Sequence, residues 1–167
     1  KSGPYVLLLL NKDRNYRTTF LTPFESAINS VICNVAISLP LTHTLVVREH
    51  PGSGIRPFQY TKEAYKLANV RFASRPSDFF DLISQSEVVL TVASSSLLDG
   101  LIMGKPVILL GCPAFMVGST RSPFLQMENW KDLSKLLERC RQTTVPTEEV
   151  LAYFYSFLSN TASMYDM

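Results

Sequence analysis

The sequence lacks any hydrophobic run long enough to cross a bilayer. Its longest uninterrupted apolar stretch, Val6–Leu10, falls far short of the roughly 20 residues that a spanning helix needs. Basic residues are scattered and the formal net charge is only +2, which argues against nucleic acid as a partner. Cysteine is scarce. Cys33, Cys112 and Cys140 are odd in number, far apart and without a CxxC pair or a histidine companion. They read as neither a disulfide framework nor a zinc site, and they suit a reducing compartment. A GxGxxG fingerprint, a Walker loop and a GxSxG nucleophile elbow are all missing, and no cluster of metal-ligating residues is visible. No signal peptide can be recognised and the first residue is lysine, so the expectation is a piece of a longer cytoplasmic protein.

What is present is the composition of a folded domain. Apolar residues make up 46% of the 167 and charged ones 18%, enough to bury a core and too apolar for disorder. No internal repeat, low-complexity tract or linker divides the chain, so residues 1–167 are expected to form one domain. Continuous apolar runs at Tyr5–Leu10, Thr44–Arg48, Val70–Phe72, Val88–Val92 and Val107–Leu110 predict strands. Between them, helical spacing predicts helices over Pro23–Leu39 (Thr22 as N-cap, Pro40 as stop), Phe58–Ala68, Ser77–Ser84 and Ser96–Met103. Two further helices, Met127–Arg141 and Thr147–Ser159, close the chain. Strands that are apolar throughout must be covered on both faces. The alternation therefore implies an α/β fold, a Rossmann-like three-layer sandwich on an open parallel sheet of about five strands.

In such sheets ligands bind at the carboxyl ends of the strands, near the point where strand order reverses. Three sets of residues follow strands directly: His50 of "REHP", the serine run Ser94, Ser95 and Ser96, and Gly111–Cys112. An imidazole at His50 can donate to a phosphate oxygen. Pro51 holds His50 on extended backbone, and Gly52 and Gly54 let the next loop pass close to a ligand. The alternative is a strand terminator with an exposed histidine. The serines offer hydroxyls beside a helix N-terminus, whose backbone N–H groups attract anions. Ser96 and Asp99 also fit a capping box, in which Asp99 only returns to the backbone of Ser96. Both readings stay open.

Other residues read as structural. Gly104 suits a left-handed helix end, Lys105 complements the helix dipole and Pro106 opens the next strand. His43, in a loop after Pro40, is expected at the solvated surface. Trp130 and the aromatic group Tyr153, Phe154, Tyr155 and Phe157 are expected to pack, with part of that surface open to a further domain.

The order of a long helix ending in "SLP", then "LVVREHP", "NVRF" and "DLISQSEVVLTVASSSLLDGLIMGKPVILLG" resembles the capsule polysaccharide biosynthesis family over roughly residues 5–140, a group that includes β-Kdo transferases. The resemblance implies the donor-binding half of a metal-independent GT-B glycosyltransferase, with CMP-Kdo as donor substrate and no separate cofactor. It makes His50 and Pro51 an HP motif that holds the CMP phosphate, with His50 aiding departure of CMP. Ser94, Ser95 and Ser96 become the serine loop, and Arg48, Asp99 and Gly111 complete the candidate site. Family members usually carry Glu at the position of Asp99 and often Gly at that of Ser94, which favours the capping role for Asp99. The acceptor-binding half is expected from a missing N-terminal domain or a partner chain, so this chain alone should bind but not turn over. Work at the inner face of a membrane implies no more than peripheral association. Two other readings remain: a GT-B half for a UDP- or GDP-sugar or a sugar-nucleotide epimerase, and a degenerate non-catalytic interaction module.

Overall fold

The computed structural model describes residues 5–11, 28–52, 64–74, 77–92, 94–111, 123–142 and 146–163. Strand β1 (Tyr5–Leu9) is buried along its whole length, as its unbroken apolar run requires. It is followed by α1 (Ile28–Ser38), β2 (Thr44–Arg48), a 3-10 turn at Ala64–Lys66, β3 (Val70–Phe72), α2 (Phe79–Gln85), β4 (Val88–Thr91), α3 (Ser96–Ile102) and β5 (Val107–Leu109). A short β6 (Leu125–Gln126), a 3-10 turn at Trp130–Asp132, α4 (Leu133–Gln142) and α5 (Thr147–Ser163) complete the described elements.

The strands form one six-stranded sheet in the order β3-β2-β1-β4-β5-β6, parallel throughout. Strand order reverses between β1 and β4, where Leu9 faces Thr91 across the ladder. Alternate side chains of each strand feed two cores. Val6, Leu8, Leu45, Val47, Leu90 and Ile108 pack on α1 and α4 through Val31, Ile32, Val35, Leu133 and Leu137. Tyr5, Leu7, Leu9, Val89, Val107 and Leu109 pack on α2, α3 and α5 through Ile83, Leu97, Leu101, Val150 and Tyr153. Helices cover both faces, giving the three-layer, Rossmann-like sandwich.

Two glycines shape the stretch that leads to β5. Gly104 takes φ +67° and closes α3 in the left-handed region, with the Lys105 Nζ donating to the Ser86 carbonyl at 2.9 Å. Gly100 is buried inside α3, where an added Cβ would lie 2.9 Å from Cγ2 of Val107. The missing side chain lets α3 lie close on β4 and β5.

Several elements differ from the sequence reading. A sixth strand, β6, pairs with β5, and Met127 then donates to the Leu109 carbonyl at 2.8 Å instead of opening a helix. Asn129 caps the 3-10 turn by accepting from the Lys131 N–H, so α4 begins at Leu133. Asp78 caps α2 through the N–H groups of Phe80 and Asp81, which starts that helix at Phe79. Of the helix expected over Phe58–Ala68, the described part is a single 3-10 turn. Thr22, Pro23, Gly54 and Cys112 lie outside the described residues.

His43 is not at the surface but buried, 5% exposed. Its Nε2 lies 2.9 Å from Oε2 of Glu87, Thr42 Oγ1 lies 3.0 Å from its Nδ1, and Arg141 also contacts the ring. The other oxygen of Glu87 accepts from Nε of Arg141 at 2.8 Å. These groups tie the loop before β2, the start of β4 and the end of α4 together at the amino edge of the sheet, away from the strand ends discussed next. In the terminal aromatic group, Tyr153 is buried and Tyr155 is exposed.

Candidate functional site

The carboxyl ends of β1, β2 and β4 border a cleft of about 320 Å³, lined by Leu9 and Leu10, by Arg48, Glu49, His50 and Pro51, and by Phe79, Ser96 and Asp99. It straddles the switch point between β1 and β4, where an open parallel sheet leaves room for a ligand. A smaller hollow of about 120 Å³ lies beyond the same Arg48–Pro51 wall and reaches Ala73 and Ser74 after β3. The sheet thus brings together Arg48, His50, Pro51, Ser96 and Asp99. Ser94, Ser95 and Gly111 are not among the described lining residues. Gly111 is buried just past β5, and Ser95 is exposed at the N-cap of α3.

His50 leaves the sheet two residues after β2 with its side chain exposed. Its Nδ1 accepts the backbone N–H of Gly52 at 3.0 Å. That bond assigns the proton of the neutral ring to Nε2, so the ring offers a donor away from its own backbone. The bond from Gly52 therefore leaves Nε2–H as the free donor of the neutral ring.

The serine run is organised around Ser94. Its hydroxyl accepts the N–H of Ser96 at 3.2 Å and donates to the Ser96 hydroxyl at 3.0 Å. Ser96 Oγ, already an acceptor, keeps its own proton for a group in the cleft. The N–H groups of Leu97 and Leu98 return to the carbonyls of Ser94 and Ser95, so the start of α3 is tightened by local bonds. The Ser96 N–H that a capping-box acid would take is bonded to Ser94 instead. Asp99 faces the cleft, and burial raises its pKa above the usual carboxylate range, opposed by a weaker pull from its own backbone N–H.

Arg48 ends β2 half-buried. Its Nη1 donates to the Ser77 carbonyl at 3.0 Å, and its guanidinium carbon sits 5.1 Å from the ring centre of Phe79. Phe79 and Glu49 were not singled out from sequence. Phe79 reads there as one of several apolar residues on a short helix, and only tertiary packing carries it over Arg48. Among the described residues, no group of three or more His, Cys, Asp and Glu side chains is placed to hold a metal ion, and no helix is long and apolar enough to cross a membrane.

The family described as capsule polysaccharide biosynthesis protein matches residues 1–140. Comparison with curated proteins finds no match. Among solved structures, the chain is similar to the KpsC beta Kdo 2,7 transferase of Thermosulfurimonas dismutans, with a TM-score of 0.59 and 18% identity over 91% of this chain and 45% of that one. It is also similar to Anabaena HepE in complex with UDP-glucose (TM-score 0.60, 13% identity, 96% and 49% covered). A third is the wall teichoic acid polymerase TagF (TM-score 0.56, 17% identity, 99% and 42% covered). The chain spans a little under half the length of each.

Proposed function

The chain belongs to the capsule polysaccharide biosynthesis protein family, and from that premise we propose that it is the donor-binding half of a capsule or surface polysaccharide glycosyltransferase, with CMP-Kdo as donor. The observation that carries this reading is the gathering of Arg48, His50, Ser96 and Asp99 around one cleft at the switch point of the sheet. Arg48, His50 and Ser96 offer a cation, an N–H donor and a hydroxyl donor, a set suited to the single phosphate of a CMP-sugar.

In the proposed reaction the bond between the anomeric carbon and the phosphate oxygen breaks, and its electron pair stays with CMP. His50 Nε2–H and the Ser96 hydroxyl donate to the phosphate oxygens as that charge develops, which favours departure. The acceptor hydroxyl forms the new glycosidic bond and loses its proton to a base. That base is assigned to the half of the enzyme, on a further domain or a partner chain, that binds the acceptor. This chain alone then binds donor without turnover, and its association with a membrane is peripheral.

A second reading keeps the fold and changes the donor to a UDP-sugar, as in the HepE structure solved with UDP-glucose. Calorimetric titration with CMP, UMP and UDP tests both. Saturable binding with CMP strongest is expected. Preference for UDP replaces the Kdo donor with a UDP-sugar, and no binding to any of the three favours a non-catalytic module.

A further inference from the structure

We propose that Arg48 is the oxyanion receptor of this cleft and that Phe79 is the residue that positions it; the inference rests on the donor-binding reading and names which ligand group is held, and where. Arg48 is half-buried at the end of β2, and a buried cation carries a desolvation cost that a purely structural arginine offsets with a carboxylate. Arg141 at the opposite edge does so, bonded to Glu87 at 2.8 Å. Arg48 has no such partner among the described residues. Of its five N–H donors, the one accounted for goes to the neutral carbonyl of Ser77.

Its remaining donors are oriented in advance. The guanidinium sits over the ring of Phe79, 5.1 Å from its centre, and the Ser77 carbonyl holds one of its N–H groups. Such a held, planar fork matches the geometry of a phosphate or a carboxylate. Its location points the same way, because Arg48 lines both the larger cleft and the smaller hollow toward Ala73 and Ser74. An oxyanion at that junction leaves space on either side for the rest of a ligand. The oxyanion is either the phosphate of the nucleotide or the carboxylate of an acidic sugar.

The test is calorimetric titration of wild type, Arg48→Met, Phe79→Leu and Phe79→Tyr with CMP, cytidine and free Kdo, with melting temperatures recorded alongside. Arg48→Met is expected to weaken CMP by about 10- to 100-fold, the loss of charge-assisted hydrogen bonds, while cytidine is unchanged. A loss confined to Kdo assigns the carboxylate as the bound group. Phe79→Leu is expected to weaken the same ligand severalfold at an unchanged melting temperature, which a loss of general packing would lower, and Phe79→Tyr, which keeps the ring, to bind as wild type. Wild-type affinity of Arg48→Met for both anionic ligands overturns the assignment and leaves the nucleotide reading standing. So does wild-type affinity of Phe79→Leu should Arg48→Met fail to fold. If wild type binds no nucleotide, that reading fails, and titration with pyrophosphate decides the rest: binding that disappears in Arg48→Met supports the receptor, and no binding overturns it.

Discussion

The backbone N–H of Gly52 and the Nδ1 of His50 meet at 3.0 Å, and this one bond decides which nitrogen of the ring faces outward as a donor. Replacing His50 with alanine removes the donor without touching either core. Nucleotide affinity is expected to fall about tenfold or more, as for a hydrogen bond to a charged group. The thermal transition should stay within a degree or two of wild type. Equal affinity of mutant and wild type, measured by calorimetry, would take His50 out of the site.

At the amino edge of the sheet, Glu87 accepts from Arg141 and pairs with the buried ring of His43. Glu87→Ala removes the acceptor that both groups share, while His43 keeps its contact with Thr42 and Arg141 its longer pair with Glu138. A destabilisation of about 1–3 kcal/mol is expected from the lost bonds to Glu87, chiefly at the buried ring, read as a lower urea midpoint. Nucleotide affinity should not change, because the cluster lies at the opposite end of the strands from the cleft. A loss of affinity at unchanged stability would contradict that separation.

The thiol of Cys140 is buried in the core under α4, and burial pushes its pKa up to about 11 against a weaker opposing effect of Arg139. At pH 8 only about one thiol in a thousand is then the reactive thiolate. Alkylation of Cys140, followed by mass spectrometry of its peptide, is expected to be negligible in the native protein and to reach the rate of a free cysteine in urea. Cys33, half-buried on α1, should react first of the two. Rapid native labelling of Cys140 would mean that α4 opens readily.

The layered fold was legible because parallel central strands are apolar without interruption, and β1 and β4 announce themselves that way. β6 was not, since Leu125 and Gln126 are too few to show a period. The burial of His43 escaped for a different reason: its partners Glu87 and Arg141 stand 44 and 98 residues away in sequence, and no local pattern points to them. At the site, strand-end position marked His50, Ser94, Ser95, Ser96 and Gly111, and the resemblance added Arg48 and Asp99; of these, Arg48, His50, Ser96 and Asp99 line the cleft. Neither could foresee that the Ser94 hydroxyl would take the N–H of Ser96, or that α2 would place Phe79 over Arg48. Such competitions are settled by distance in space, after the chain has folded.

Gly100 links packing to the site. A methyl group there meets the stiff Val107 side chain at 2.9 Å, and α3 has to move away from the sheet to admit it. Overpacking of this kind costs about 1–3 kcal/mol, against a gain of up to about 1 kcal/mol in helix propensity. Gly100→Ala is therefore expected to lower stability. It should also weaken nucleotide binding, because Ser96 and Asp99 ride on the displaced helix. Val107→Ala in the same chain opens the needed space and should restore binding in part. Failure of that second change to help would mean that α3 is not held by this contact.

The two roles open to Asp99 predict opposite pH behaviour. Burial disfavours its ionised form, so its pKa is raised on folding. For a carboxyl group shifted upward, the folded state pays nothing below the unfolded pKa of about 3.9 and loses stability as pH rises through the folded value. Asp99→Asn removes the charge and with it that loss. The variant is expected to match wild type in acid and to be the more stable of the two at neutral pH. A capping carboxylate would have its pKa lowered and would stabilise the fold above that range, so Asp99→Asn would then be the less stable protein at neutral pH. Urea titrations of both proteins from pH 3 to 8 separate the cases by the sign of the difference alone. The expected sign takes Asp99 out of the capping role, because a carboxylate that caps its helix is stabilised in the folded protein and not destabilised by burial.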